Sequence, residues 1–263
     1  MSRGMLDDSD WEPYVKELPD LGRLQELVNQ VSSPDILSIS CLDRDSYQSL
    51  FPVASVCFHD AHETLWGACY ALTEIFAHDI WYLKKKTPPN EMAAALFGRF
   101  YADDAALRLY SAGEHLANGI IMMLEISDEE LRPYRDKGKR TSQQSIVGNY
   151  LRKEKPSHPI TISVIRLSDS KEWQATMKYR GRLVHEQPPT VKGLGIVYKR
   201  RIRWEPTPNG KGYTLQGGGD EPEYSVDELV SFIKPATFRF RDTLTSVIEF
   251  YKELLQNTGN QTV

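Results

Sequence analysis

The residues whose types and spacing are best suited to chemistry are Arg180 and His185, in the stretch 171–189 (KEWQATMKYRGRLVHEQPP). A histidine titrates near neutral pH and can accept or donate a proton. A guanidinium group can hold two oxygens of a phosphate at the same time. We therefore predict a site for phosphate chemistry at the end of a helix, with Arg180 stabilising the phosphate and His185 acting as general acid and base.

Position along the chain singles out this pair. An arginine followed by a histidine also occurs at positions 108 and 115 and at positions 152 and 158, but the first pair lies mid-helix and the second spans a proline. One alternative stays open, in which Arg180 is a solvated helix residue and His185 caps the end of the helix.

Cationic and aromatic residues beside this pair, and a basic stretch further on, are candidates for holding a substrate. The stretch 199–204 (KRRIRW) places cations next to an aromatic ring, which suits a nucleic-acid backbone. Its alternative interpretation is a solvated hairpin with Trp204 packed on the body of the protein. The predicted substrate-binding residues are Lys178, Tyr179, Arg182, Arg200, Arg201 and Arg203.

A second constellation consists of His59, His62 and Glu63, which share one face of a predicted helix. Histidines and carboxylates from bundle helices can hold a divalent metal. However, the spacing matches neither HExxH nor the paired ExxH pattern of di-iron bundles. We therefore predict no metal and no cofactor, and keep a metal-dependent hydrolase as the less favoured alternative.

Two long helical runs precede Arg180 and must help to position it. Apolar residues recur at three- and four-residue steps over residues 53–86, and again over residues 92–125. Pro88 and Pro89 end the first helix, and Asn90 can cap the second. A short turn between two long helices predicts an antiparallel hairpin.

Further helices follow this hairpin. Residues 141–153 are predicted to be helical, whereas residues 160–167 suit either a helix or a strand. A polar residue within 168–170 can cap the helix that ends at His185, and Ser225 can cap a final helix over residues 226–256.

The pattern as a whole predicts a mainly α protein, a helical bundle of about four main helices with a small β-hairpin-like insertion. The hairpin signal is Asn209-Gly210, between two runs of alternating residues. The predicted organisation is an amino-terminal arm (1–52) with a short helix over residues 18–31, a bundle domain (53–256) containing the insertion (188–222), and a flexible tail (257–263).

In this setting the Arg180–His185 motif resembles the HEPN family, in which a helical hairpin precedes a helix ending in Arg, four to six residues and His. The resemblance in architecture extends over residues 53–256, and the motif rests on two residues. It implies a four-helix domain, often a homodimer, that binds RNA and in many members cleaves it without a metal. Family members frequently carry Asn or Asp after the arginine, where this chain has Gly181. A non-catalytic helical interaction module is the alternative.

Composition limits the other possibilities. The chain has 263 residues and a formal net charge of −4, which argues against a globally basic nucleic-acid binder but not against local basic patches. The sequence contains no run of about 18 apolar residues, so we predict no membrane span. Three cysteines are too few for a disulfide framework, so we expect reduced thiols and a cytoplasmic location.

Overall fold

A computed structural model describes residues 6–32, 53–135, 142–186, 188–194, 202–207, 210–215 and 221–259. These residues are mainly helical, as predicted. The α-helices that they form are α1 (Asp8–Val15), α2 (Gly22–Val31), α3 (Ala54–Asp79), α4 (Glu91–Met123), α5 (Asp128–Leu131), α6 (Gln143–Glu154), α7 (Pro159–Ser168), α8 (Lys171–His185) and α9 (Val226–Gly259).

The long antiparallel hairpin of α3 and α4 is the centre of the fold, and its prediction is confirmed. α3 continues as a π-helix over Ile80–Lys85 before the chain turns. The side chain of Asn90 accepts a hydrogen bond from the backbone N–H of Ala93 at 3.0 Å, as expected of a helix cap. Small residues let the two helices approach closely, and Gly119 of α4 lies directly against the ring of Phe58.

α9 and α2 close the core on the remaining sides. α9 contacts α2, α3, α4, α7 and α8, and Pro235 lies inside it without ending the helix. α2 buries four aliphatic residues in this same core, and Tyr14 of α1 stacks on Phe76 with ring centroids 4.9 Å apart. The described part of the amino-terminal arm is therefore packed on the bundle. The buried residues of α2 are Leu24, Leu27, Val28 and Val31.

The layer formed by α6, α7 and α8 positions Arg180 and His185. The stretch 160–167, which suited a helix or a strand, is helical within α7. The hydroxyl of Ser170 caps α8 by accepting a hydrogen bond from the N–H of Trp173 at 3.3 Å. Trp173 is buried and stacks on Phe240 of α9, which anchors the start of α8 on the core.

Two strands, β1 (Ile202–Thr207) and β2 (Gly210–Leu215), lie between α8 and α9. They pair antiparallel, with Trp204 opposite Tyr213. Asn209 of the predicted turn lies outside the described residues. At the base of the segment, Val191 and Tyr224 form a parallel bridge.

The final helix continues past the predicted boundary at residue 256 and ends at Gly259. The rest of the predicted tail lies outside the described residues. Within the described ranges, no helix combines the length and the apolar character needed to span a bilayer.

Candidate functional site

The last two turns of α8 bring Arg180 and His185 into contact. The Nη1 atom of Arg180 lies 3.3 Å from the Nε2 atom of His185. Because a guanidinium group only donates hydrogen bonds, Nε2 must be the acceptor in this contact. An imidazole that accepts at Nε2 carries its proton on Nδ1, and this is also the tautomer that a general base requires.

Tyr110 of α4 holds the guanidinium group of Arg180. The carbon at the centre of that group lies 3.6 Å from the centroid of the tyrosine ring, which is a close cation–π contact. Burial raises the pKa of the Tyr110 hydroxyl, so this side chain is neutral at physiological pH. The Nε of Arg180 is buried and has no hydrogen-bond partner among the described residues. The stacking fixes the plane of the guanidinium and leaves its hydrogen-bonding capacity largely unused.

Both residues of the pair open onto a groove between α6 and α8 with a volume of about 620 Å³. Trp173 and Met177 of α8 supply its apolar side chains, and Tyr110 contributes from α4. The other residues that line the groove are Ser142, Gln144, Ser145, Gly148, Asn149, Arg152, Ser168, Asp169, Gln174, Arg180, Gly181 and His185.

Two features shape this groove. An ion pair between Arg152 of α6 and Asp169 at the end of α7, at 2.7 Å, joins its two walls. Gly148 and Gly181 lie on opposite walls, and a Cβ atom added at either would meet nothing within 4 Å. The groove is thus wide at the two places where a side chain is missing, one of them next to Arg180.

The assignment of Tyr179 to substrate binding is corrected by the structure. Its side chain is 0% exposed, and its hydroxyl donates a hydrogen bond to the carboxyl group of Asp103 on α4. Burial is the main cause that raises the pKa of Tyr179, and burial likewise raises the pKa of Asp103. Tyr179 is a core residue that fastens α8 to α4 and cannot contact a substrate.

Arg182 and Lys178 do not line the groove either. Arg182 forms a two-pronged ion pair with Glu223, in which its Nη2 lies 3.0 Å from Oε1. The hydrogen bond to Glu223 raises the pKa of Arg182. The guanidinium group of Arg182 is therefore held by Glu223 at the base of the inserted segment. Lys178 is exposed on α8 outside the groove lining.

Of the three arginines predicted on the basic stretch, Arg200 and Arg201 lie outside the described residues. Arg203 lies in β1, where it pairs with Thr214. Their assignment to substrate binding stays a prediction.

The His59, His62 and Glu63 constellation is not arranged around a common point. His62 is buried, with Nδ1 3.3 Å from Glu63, whereas the half-exposed His59 lies nearest to Asp60, at 3.9 Å. Burial lowers the pKa of His62. In the part of the chain that the structure describes, no group of three His, Cys, Asp or Glu side chains could hold a metal ion. The metal-dependent alternative therefore has no geometric support.

Sequence reasoning missed Tyr110 and the α6 wall of the groove. Tyr110 is distant in sequence from Arg180, and nothing in its local pattern distinguishes it from a core aromatic residue. The α6 residues Ser145, Gly148, Asn149 and Arg152 recur at three- and four-residue steps, which marks a common helix face but not its partner.

Comparison with protein-family models, curated proteins and solved structures gives no match to this chain. The fold and the groove therefore describe the protein only in general terms, as a mainly helical protein with a groove lined by an arginine–histidine pair.

Proposed function

We propose that this chain is a HEPN-like RNA-binding protein that acts as a metal-independent endoribonuclease. The observation that carries the proposal is the contact between Arg180 and His185 at a groove that both side chains line. The packing of α3, α4, α8 and α9 around one core supports a HEPN-like four-helix arrangement. The insertion between α8 and α9 is an addition to that arrangement.

The geometry supports cleavage through the ribose 2′-hydroxyl. When a substrate phosphate draws the Arg180 guanidinium away from His185, the Nε2 lone pair is released and removes the proton from the 2′-hydroxyl. The 2′-oxygen then attacks the adjacent phosphorus. The bond from phosphorus to the 5′-oxygen breaks, and that oxygen takes up a proton from the imidazolium. The products are a 2′,3′-cyclic phosphate and a 5′-hydroxyl. Arg180 neutralises the charge that builds on the phosphate oxygens as the new bond forms.

The test is incubation of purified protein with a mixed RNA pool in EDTA. Wild-type protein is expected to cleave, and His185→Ala is expected to lose at least about 100-fold in rate, the usual contribution of a general acid or base. His59→Ala, which removes a half-exposed histidine outside the groove, is the matched control and should cleave like the wild type. Circular dichroism establishes that all three proteins are folded.

Two results would overturn the nuclease. One is equal cleavage by wild type and His185→Ala, which would indicate a contaminating enzyme. The other is no cleavage in EDTA but cleavage after a divalent metal is added, which would favour a metal-dependent hydrolase.

A second candidate function, a non-catalytic helical interaction module, is favoured by an exposed apolar stripe on α4. Its four members are large, and they recur along one side of the helix, so a partner that covered them would bury much apolar surface. This function predicts that the protein neither binds nor cleaves RNA. It also predicts that substitutions at Arg180 and His185 are fully tolerated. The stripe residues are Met92, Leu96, Phe100 and Leu107.

The proposal includes a homodimer, which the family resemblance implies, and a cytoplasmic location, which the small number of cysteines favours. Light scattering during size-exclusion chromatography should give twice the mass of one chain. Phe100→Glu tests whether the α4 stripe forms the contact, since a charge there would oppose burial of the stripe. A mass of one chain for the wild type would remove the homodimer from the proposal.

A further inference from the structure

We propose that the groove between α6 and α8 contains a base-recognition subsite. This subsite takes an unpaired adenine next to the phosphate held by Arg180. The inference rests on the proposed function, because it assumes that the ligand of the groove is RNA. It adds the base that is read and the residues that read it.

The apolar side chains and the open wall of the groove suit a flat ring. Trp173 and Met177 give an apolar surface, and Gly148 leaves the opposite wall without a side chain at that place. The ion pair between Arg152 and Asp169 joins the walls beyond it. Proteins that read RNA sequence usually do so on single-stranded segments, whose bases can turn out of the stack and enter such a site. The groove between the two helices therefore suits an unpaired base.

The polar groups on the walls favour adenine. Asn149 is exposed, lines the groove and makes no hydrogen bond within the described ranges, so its amide oxygen and nitrogen are available. An amide presents one acceptor beside one donor, which matches the neighbouring donor and acceptor of adenine. Gln174 donates from Nε2 to the backbone oxygen of Ser168 at 3.1 Å, which leaves its side-chain oxygen as a further acceptor for an amino group.

Gln144 and the two arginines of the groove are directed to other contacts. The Nε2 of Gln144 points to the sulfur of Met177 at 3.9 Å, and its oxygen lies over Gly113. Guanine is usually read by a guanidinium group or an ammonium group that donates to its two acceptors. The guanidinium groups in the described lining are those of Arg152, which is paired with Asp169, and Arg180, which we assign to the phosphate.

Binding of short oligonucleotides to His185→Ala protein tests the subsite without cleavage. The probes are fluorescein-labelled oligouridines with a single central A, G, C or U, and the readout is fluorescence anisotropy. We expect the probe with A to bind about tenfold more tightly than the others, since one bidentate amide contact discriminates by roughly this factor. Asn149→Ala, made in the same background, should reduce the preference to less than about twofold. Asn118→Ala, on α4 outside the groove lining, should retain it.

The outcomes separate this inference from the proposed function. Cleavage by the wild type together with equal binding of all four probes overturns the adenine subsite and leaves the nuclease in place. An adenine preference that needs Asn149, without any cleavage by the wild type, supports the subsite and overturns the nuclease. A preference that persists in Asn149→Ala, or one for another base, overturns the subsite. If no probe binds to His185→Ala or to wild-type protein, the subsite is wrong, and cleavage of the mixed RNA pool by the wild type alone decides the nuclease.

Discussion

The seam between α3 and α4 and the groove between α6 and α8 are both helix pairs that contain glycines, but the glycines serve opposite purposes. In the seam, a Cβ atom at Gly119 would overlap the ring of Phe58. In the groove, a Cβ atom at Gly148 or Gly181 would touch nothing. The first glycine permits close packing, whereas the other two leave space that the protein itself does not fill. Unfilled space beside an arginine–histidine pair is what a ligand site requires.

α8 belongs to both regions at once. Tyr179 points into the core and bonds Asp103, whereas the next residue, Arg180, lies in the groove. One step along an α-helix rotates the side chain by about 100°, so neighbours in sequence face different surroundings. The buried side of α8 therefore determines the direction of the side that faces the groove.

Replacement of Tyr179 by alanine should give the largest effect on stability. The change empties a fully buried aromatic site and removes the hydrogen bond to Asp103, and a loss of about 3–5 kcal/mol in the free energy of unfolding is expected. Arg180→Ala removes a partly exposed side chain from the groove and should cost less than about 1 kcal/mol. Urea denaturation measures both. Equal losses for the two variants would contradict the division of α8 into a core side and a groove side.

Alanine substitutions at Gly119 in the seam and at Gly181 in the groove should change the free energy of unfolding by intermediate amounts and in opposite directions. Gly119→Ala forces a methyl group against the buried Phe58 ring and should destabilise the fold by about 1–3 kcal/mol. Gly181→Ala has room and gains helix propensity, so it should stabilise by about 0.5–1 kcal/mol. Thermal and urea denaturation at one pH give both values. A destabilised Gly181→Ala would show that the groove wall is packed more tightly than its geometry indicates.

The smallest expected effect concerns pH and a histidine of the seam. His78 is buried and stacks on Phe97 at 4.3 Å, and burial lowers its pKa, although the nearby Glu74 acts in the opposite direction. The unfolded chain therefore takes up a proton more readily than the folded one, so stability should fall as the pH falls from 7 to 5. His78→Gln removes this titration. Its melting temperature should be lower at pH 7 but should change less with acidification than that of the wild type.

The melting temperatures of the two proteins, measured at several points between pH 7 and 5, decide this prediction. Near-UV circular dichroism at pH 7 serves as the control for native packing. Parallel pH profiles would mean that His78 contributes nothing to the acid sensitivity of the fold.

The helices were predicted well wherever a capping residue preceded a run with a helical apolar repeat. Asn90 and Ser170 are caps in the structure, and the α3–α4 hairpin follows from two long apolar repeats joined by prolines. α1 was missed because its eight residues include Pro13 and have little amphipathic character. The π-helix after α3 has no local signal, because its hydrogen bonds depend on how the chain turns into α4.

The candidate site was predicted only in its local part. Arg180 and His185 were predicted together because both lie at one helix end. Residues five apart lie about 140° from each other around a regular α-helix, so spacing alone does not bring them into contact. Tyr110 and Asn149 come from other helices, and their arrival at the groove depends on tertiary packing that a local pattern does not encode. Tyr179 was misassigned because proximity in sequence to the pair was taken for proximity to the site.

The closed base of the inserted segment has a consequence for how this protein can change. The chain leaves the bundle and returns to it at adjacent points, held by the Val191–Tyr224 bridge and the Arg182–Glu223 ion pair. A loop whose ends are already fixed together can be lengthened at a cost that rises only with the logarithm of its length. The segment is therefore an attachment point, at which a module can be exchanged or enlarged while the core keeps its packing.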